Sequence, residues 1–212
     1  MKVLSILSQK GGVGKTTIAT CLAVAAEHDG KRTAIFDLDP QATASFWKDT
    51  REAETPAVLS IQAIRLSAML EAAKDAGTAL IIIDGAAVAR DIAYEAAKVS
   101  DFVLIPTKAA VFDIKSMMHT IDIVRQLEKP FSIIQNFVPP TGKETGEAES
   151  AAKSINADVC PIKIGNRKAY FRAQGEGLAV QEYEPSGKAA KEIIQLYEYM
   201  CINIYNKEKV GA

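Results

Sequence analysis

The sequence predicts an α/β fold of three layers, a mostly parallel twisted sheet with helices on both faces. Two observations carry that prediction. Apolar strand-like runs alternate with helix-length segments along all 212 residues, the pattern of parallel strands joined by crossover helices. Runs such as Leu80-Ile81-Ile82-Ile83 and Phe102-Val103-Leu104-Ile105 are continuously apolar, as strands covered on both faces are. Residues 9–17 add a third observation, a glycine-rich loop set between the first strand and the first helix.

In chain order, Val3–Leu7 reads as the first strand, and Ile18–Ala26 has the spacing of a helix with one face buried. Arg32–Phe36 is a second strand running into Asp37-Leu38-Asp39-Pro40-Gln41. Ala42–Lys48 reads as helical, with Phe46 and Trp47 expected to pack. Val58–Ser60 is a short strand, and Ile64–Ala76 a helix with Leu66, Met69, Leu70 and Ala73 on one face. Leu80–Ile83 ends at Asp84, and Phe102–Ile105 at Pro106. Phe112, Met117, Met118, Ile121, Val124 and Leu127 mark a long amphipathic helix stopped by Pro130. Phe131–Asn136 is a strand, and Pro139–Gly146, rich in turn formers, reads as a mobile surface loop. A helix over Glu147–Ser154, a strand over Val159–Ile164, a short helix near Tyr170 and a last helix from Lys188 to about Tyr205 complete the chain. With no repeat or linker visible, residues 1–212 read as a single domain.

Hydrophobic content of 48% and charged content of 24% are ordinary for a globular protein of this length. Apolar runs fall short of the roughly 18 residues of a membrane span, and the N-terminal run is too short for a signal peptide, so a cytoplasmic location is expected. Cys21, Cys160 and Cys201 have neither paired nor metal-ligand spacing and read as apolar side chains in a reducing compartment. A net charge of −1 gives no global footprint for nucleic acid or anionic lipid. His28 and His119 read as solvated. The first strand begins at residue 2, so no N-terminal helix-turn-helix module is expected ahead of it.

Gln9-Lys10-Gly11-Gly12-Val13-Gly14-Lys15-Thr16-Thr17 has the composition of an anion cradle. Glycines let successive N–H groups turn inward, and a helix starting near Lys15 adds the positive end of its dipole. Lys15 would reach the β- and γ-phosphates and the Thr16 hydroxyl would ligate Mg²⁺. The usual G-x-x-x-x-G-K-[ST] pattern is not met, because its first glycine falls on Gln9 and a second lysine, Lys10, stands at the entrance. Ligands of open α/β sheets lie at the carboxyl ends of strands. Three acids fall there: Asp37, Asp39 and Asp84. Each alone could be a turn former.

Lys10 followed by Gly11-Gly12-Val13-Gly14-Lys15-Thr16-Thr17 resembles the deviant Walker A motif of the ParA/MinD ATPases, closest to the small ParA-type (ParF-like) partition ATPases. The resemblance runs along essentially the whole chain and implies a P-loop NTPase fold. It further implies ATP and Mg²⁺, held by residues 10–17 (Lys10, Gly11, Gly12, Val13, Gly14, Lys15, Thr16, Thr17) and Asn136, with Thr16, Asp37 and Asp84 at the metal. Lys10, Lys15 and Asp39 take the catalytic roles, Lys10 by crossing a dimer interface to the partner's nucleotide and Asp39 by orienting the attacking water. Asn136 looks like an adenine-contacting Asn, with loop capping as the rival reading. Pro106 matches a pocket edge. Asp113 matches a dimer or partner contact, or is simply the first-turn acid of its helix. One departure stands out: Gly85-Ala86-Ala87-Val88 follows the Walker B-like Asp84 where relatives commonly have a proline, although Gly85 N–H could still approach a γ-phosphate.

Residues 163–172 hold Lys163, Arg167, Lys168 and Arg172 and no acid. Lys168 and Arg172 share a helical face, which suits sequence-blind contact with DNA phosphates. The competing reading is a solvated face with Phe171 in the core. Lys188 and Lys191 are weaker candidates. The resemblance implies a DNA-partition ATPase that forms an ATP-dependent homodimer, holds nucleoid DNA non-specifically, and is released by hydrolysis stimulated by a centromere-binding ParB-like or ribbon-helix-helix adaptor. No membrane partner is expected. A MinD-like membrane-cycling ATPase would need a basic amphipathic C-terminal helix, and 206–212 shows no clear partition of that kind. A metabolic or redox enzyme of the superfamily is the other alternative, although no cysteine lies near Asp84 as a nitrogenase-reductase-like protein requires.

Overall fold

A computed structural model describes residues 1–86, 90–108, 111–141 and 144–205, without the side chains of 111–116 and 144–145. Seven strands form one sheet: β1 (Lys2–Ile6), β2 (Thr33–Asp37), β3 (Ala57–Ser60), β4 (Leu80–Asp84), β5 (Phe102–Lys108), β6 (Phe131–Val138) and β7 (Val159–Gly165). Their order is β3-β2-β4-β1-β5-β6-β7, and every neighbouring pair is parallel. The expected α/β architecture is therefore present, with a sheet that is parallel throughout.

Strand alternation explains why the central runs carry no polar face. Leu4, Ile6, Leu80, Ile82, Phe102 and Leu104 belong to one core cluster, while Val3, Leu7, Ile81, Ile83, Val103 and Ile105 belong to the other. The first cluster is closed by α1 (Lys15–His28), by α2 (Thr43–Thr50) through Trp47, by α7 (Lys168–Gly175), α8 (Val180–Tyr183) and α9 (Lys188–Tyr205). The second is closed by α3 (Leu66–Asp75), α4 (Arg90–Val99), α5 (Val111–Gln126) and α6 (Glu144–Ser154). Helix α1 packs between the sheet and α9, and is buried continuously from Ile18 to Ala26.

Four expectations change. Helix α4 was not foreseen, although Ala93, Ala96 and Ala97 recur at helical spacing against Arg90, Asp91, Glu95 and Lys98. The short α8 was missed for want of length. Residues 144–146, read as loop, begin α6, and the expected loop's residues 142–143 lie outside the described residues. Phe46, expected to pack, is 71% exposed, whereas its neighbour Trp47 is buried and donates Nε1–H to the Leu178 carbonyl at 3.2 Å. Cys21 and Cys160 are buried, Cys201 is half-buried, and both histidines are exposed. Among the described residues no helix is long and apolar enough to cross a membrane.

The topology places the site. Strand β1 lies between β4 and β5, so the chain leaves it towards β2 on one side and the later strands continue on the other. At such a switch point the loops diverge beyond the carboxyl ends of the strands and leave a crevice. The glycine loop follows β1 there, and register sets Ile6 beside Asp84 and Asp84 beside Asp37.

Candidate functional site

Gly12 (φ +67°) and Gly14 (φ +87°) take left-handed conformations that curl the loop onto α1. Gly14 is the residue from which the helix starts, accepting the Ile18 N–H at 3.0 Å. A Cβ at Gly14 would lie 2.2 Å from Asn136 Nδ2. Lys15 is only 6% exposed, and its ammonium donates to the Lys10 carbonyl at 3.5 Å. Burial pulls the Lys15 pKa down, while Asp84 and then Asp39 pull it back up. Lys10 is half-buried at the loop entrance, its N–H on Ser8 Oγ at 3.4 Å.

The three acids have distinct surroundings. Asp84 is 1% exposed and accepts the Thr16 hydroxyl on Oδ2 at 2.6 Å, while its Oδ1 has no hydrogen-bond partner among the described residues. Burial, with Asp37 and Asp39 adding to it against Thr16 and Lys15, pushes the Asp84 carboxyl up to about 7. Asp37 is fully buried, and both of its oxygens are engaged: Oδ1 accepts Asp39 N–H at 3.0 Å, and Oδ2 accepts Ala44 and Ser45 N–H at 3.1 and 3.2 Å. It thereby caps α2 and lies beside Asp84 in the register of β2 with β4, held by backbone N–H groups and so not offered to the metal that the resemblance assigned it. Asp39 is half-buried at the crevice, with Oδ1 on the Gln41 N–H at 3.0 Å.

An orphaned carboxylate oxygen beside a hydroxyl is a hard oxygen donor set that fits Mg²⁺. No three His, Cys, Asp or Glu side chains converge as a closed cage among the described residues. Mg²⁺ commonly takes one or two carboxylates and completes its shell with waters and phosphate oxygens, so Thr16 and Asp84 suffice. Without metal, the raised Asp84 pKa makes a signed prediction. Its stabilising protonated form is full below about pH 4 and is lost as pH rises through about 7, because folding then requires a buried charge. Thermal melts in a chelator from pH 4 to 8 should therefore show wild type losing stability relative to Asp84→Asn as pH rises. Parallel curves would reject the burial argument.

Two clefts open beside Thr16 and Thr17. The first, of about 610 Å³, runs between the glycine loop with Lys15–Thr17 and, opposite, Asp39 and Gln41. The second, of about 810 Å³, shares Thr16, Thr17, Thr43 and Phe137 with it and continues to Gly165 and α7. Both volumes are in the range of small-molecule sites. Phe137 stands at their junction with φ +55°, and the Lys108 ammonium lies 5.2 Å from its ring centroid. Neither residue was singled out from sequence; the signal available was their position at the carboxyl ends of β6 and β5.

Other expected site residues are placed as follows. Asn136 lines the second cleft, with its amide bonded to the Val13 carbonyl and the Phe137 N–H. Gly85 N–H is not available to a phosphate, because it donates to the Ile6 carbonyl at 3.1 Å. Ala87, Val88, the Asp113 side chain and 206–212 lie outside the described residues. Within the basic run, Lys163 pairs with Glu149 at 2.7 Å and Arg167 with Glu192 at 2.5 Å. Lys168 and Arg172 are exposed, line the second cleft and make no ion pair among the described residues. Tyr170 is the buried ring of this segment, and Phe171, placed in the core by the competing reading, is 84% exposed. Just past α2, Arg51 pairs with Glu182 of α8 at 2.6 Å and donates to the Gly177 carbonyl at 3.0 Å.

Comparison with known proteins agrees with this geometry. The family described as CobQ/CobB/MinD/ParA nucleotide binding domain matches residues 4–180. Maintenance of carboxysome distribution protein A from Gloeobacter kilaueensis is 30% identical over 197 residues, 90% of this chain and 88% of that protein. In fold, the chain is similar to a McdA–ATP complex from Cyanothece (TM-score 0.79, 21% identity, covering 94% of this chain and 96% of that one). It is likewise similar to MinD with Mg-ADP from Pyrococcus horikoshii (TM-score 0.76, 19% identity, 94% and 95% covered).

Proposed function

The chain belongs to the CobQ/CobB/MinD/ParA family of nucleotide-binding domains, and from that premise we propose that residues 1–212 form a ParA-type ATPase domain that partitions DNA. The observation that carries the reading is the buried Thr16–Asp84 pair with its orphaned Oδ1, set beneath a left-handed glycine loop. The loop N–H groups and Lys15 receive the triphosphate, and the second cleft receives the nucleoside. Thr16 and Asp84 would hold Mg²⁺, which would supply charge neutralisation on the phosphate oxygens. Asp39 accepts a hydrogen bond from the attacking water and so aims it. Lys10, at the loop entrance, reaches the nucleotide of a second copy in an ATP-dependent dimer.

That dimer would hold DNA non-specifically, associate with the nucleoid in the cytoplasm, and be released when a ParB-like or ribbon-helix-helix adaptor stimulates hydrolysis. Phosphate release and light scattering test the core of the proposal. A dimer mass with a non-hydrolysable ATP analogue, a monomer mass with ADP and measurable turnover are expected, and a nucleotide-independent mass without turnover would reject it. A second reading has a specific basis. The relative from Gloeobacter kilaueensis is named for carboxysome distribution, so the same cycle could carry a protein body in place of a replicon.

For DNA contact the structure separates the basic run. Lys163 and Arg167 are neutralised by Glu149 and Glu192, which leaves Lys168 and Arg172 facing solvent. Replacing these two with alanine should weaken ATP-dependent DNA retention and flatten its log–log salt slope by about 1.8, at roughly 0.9 per phosphate contact. Lys163→Ala should leave the slope nearly unchanged. Filter binding across a salt series, on variants first shown to bind ATP, decides the matter; identical slopes for the double variant and wild type would exclude α7 from the DNA surface.

A further inference from the structure

Helix α7 turns Tyr170 and Ala173 into the core, and the Tyr170 hydroxyl lies within hydrogen-bonding distance of Glu192 Oε2 at 3.1 Å and of the Ala189 carbonyl at 3.2 Å. Lys168, Phe171 and Arg172 are thereby left facing outwards, Phe171 with 84% exposure. Residues three and four apart are neighbours on a helix, so Lys168 lies next to both Phe171 and Arg172 and the three form one patch. We propose that this patch takes single-stranded DNA in preference to duplex, Phe171 stacking on an unpaired base while Lys168 and Arg172 hold adjacent phosphates. The inference rests on the DNA reading above and names the form of DNA that α7 favours.

An isolated exposed apolar side chain is ordinary. Two observations set Phe171 apart. No acid occurs from Lys163 to Gly175, and Glu149 and Glu192 are taken up by Lys163 and Arg167, leaving Lys168 and Arg172 exposed without an ion pair among the described residues. The ring therefore stands among cations that suit a polyanion. A second exposed ring is also close by: α2 packs against α7, Thr43 of α2 shares the second cleft with Phe171, and Phe46, one turn past Thr43, is 71% exposed. Charge alone does not separate strand from duplex, but the rings do. In a duplex each base face is covered by its neighbours, and a phenyl ring reaches one only as a wedge that unstacks a step. An unpaired strand offers its base faces without that cost, and stacking accepts any base, so binding stays blind to sequence.

The test compares one oligonucleotide as single strand and as duplex, by fluorescence anisotropy across a salt series, with the protein saturated by a non-hydrolysable ATP analogue. Because Phe171 is exposed, its replacement spares the core. Phe171→Ala should weaken single-strand binding about tenfold, the scale of one base–aromatic stack, while duplex binding stays within about twofold of wild type. The ring carries no charge, so the single-strand salt slope should not move in this variant. Lys168→Ala combined with Arg172→Ala should flatten that slope by about 1.4, at roughly 0.7 per phosphate contact on a single strand.

Phe171→Leu and Phe171→Trp separate stacking from general apolar contact. Leucine keeps apolar bulk without a π face and should bind the single strand as weakly as alanine, whereas tryptophan enlarges the face and should bind it at least as tightly as wild type. Equal losses on both forms of DNA, or full rescue by leucine, would overturn the inference. Single-strand affinity unchanged in Phe171→Ala would overturn it too, and would leave the ring to an acidic protein partner or to a second copy of the chain. A wild type that binds neither form with the ATP analogue would instead reject the DNA reading itself, and this inference with it.

Discussion

Replacing Lys15 with alanine should weaken ATP binding roughly 100-fold while leaving the fold at least as stable as wild type. The affinity loss follows from two charge-assisted hydrogen bonds to phosphate, together about 3 kcal/mol or more, at about 1.4 kcal/mol per tenfold. Unchanged stability follows from the environment of the ammonium. Lys15 is 6% exposed and bonds the Lys10 carbonyl at the long distance of 3.5 Å. Its pKa is pulled below the ordinary value by burial, so the folded chain resists the charge that the ligand needs. Binding relieves that cost, and so does deletion. A group that serves only the fold would behave oppositely, with stability falling together with affinity. Calorimetry with ATP and a thermal melt of each protein separate the two, and equal ATP affinity would remove Lys15 from the phosphate site.

What the sequence disclosed, and what it hid, follows from how local each interaction is. Leu80–Ile83 and Phe102–Ile105 were readable because a strand buried on both faces has no polar residues to dilute its signal. The glycine loop was readable because anion cradling needs consecutive backbone N–H groups and hence contiguous residues. Helix α4 was not, although its alanines face away from Arg90, Asp91, Glu95 and Lys98 with clear helical spacing, because alanine has too little apolar surface to stand out as a core residue. The basic run illustrates the other limit. Residues 163–172 contain no acid, but Glu149 and Glu192 arrive from α6 and α9 to neutralise Lys163 and Arg167. No local pattern announces a partner 25 residues away, as Glu192 is from Arg167. Asn136 is a third case. Sequence placed it at a strand end with two readings open, and only the fold shows its amide engaged by Val13, 123 residues distant.

The same contrast separates the two acids of Asp37-Leu38-Asp39, which the resemblance placed at the metal and at the attacking water, and it leads to the expectation that Asp39→Ala cuts hydrolysis by about 10²–10³ while leaving the ATP-driven dimer intact. Asp37 belongs to the fold. Its oxygens hold Asp39 N–H and the first turn of α2, and no water reaches a side chain with 0% exposure. Deleting it uncaps α2 and leaves backbone N–H groups unpaired, a loss of about 1–3 kcal/mol that lowers the melting temperature. Asp39 makes one side-chain hydrogen bond among the described residues, to Gln41 N–H within its own turn, and faces the first cleft. Its removal spares the core and takes away the acceptor that aims a water, an effect in the lower part of the range for positioned acid–base groups. Because Asp39 carries negative charge towards the cleft, its loss also removes repulsion against the triphosphate, so ATP affinity should hold or rise. Single-turnover phosphate release, with light scattering on the same samples, measures both halves. Turnover within about threefold of wild type would transfer the water-positioning role elsewhere, and an ATP-bound monomer would place Asp39 in assembly before chemistry.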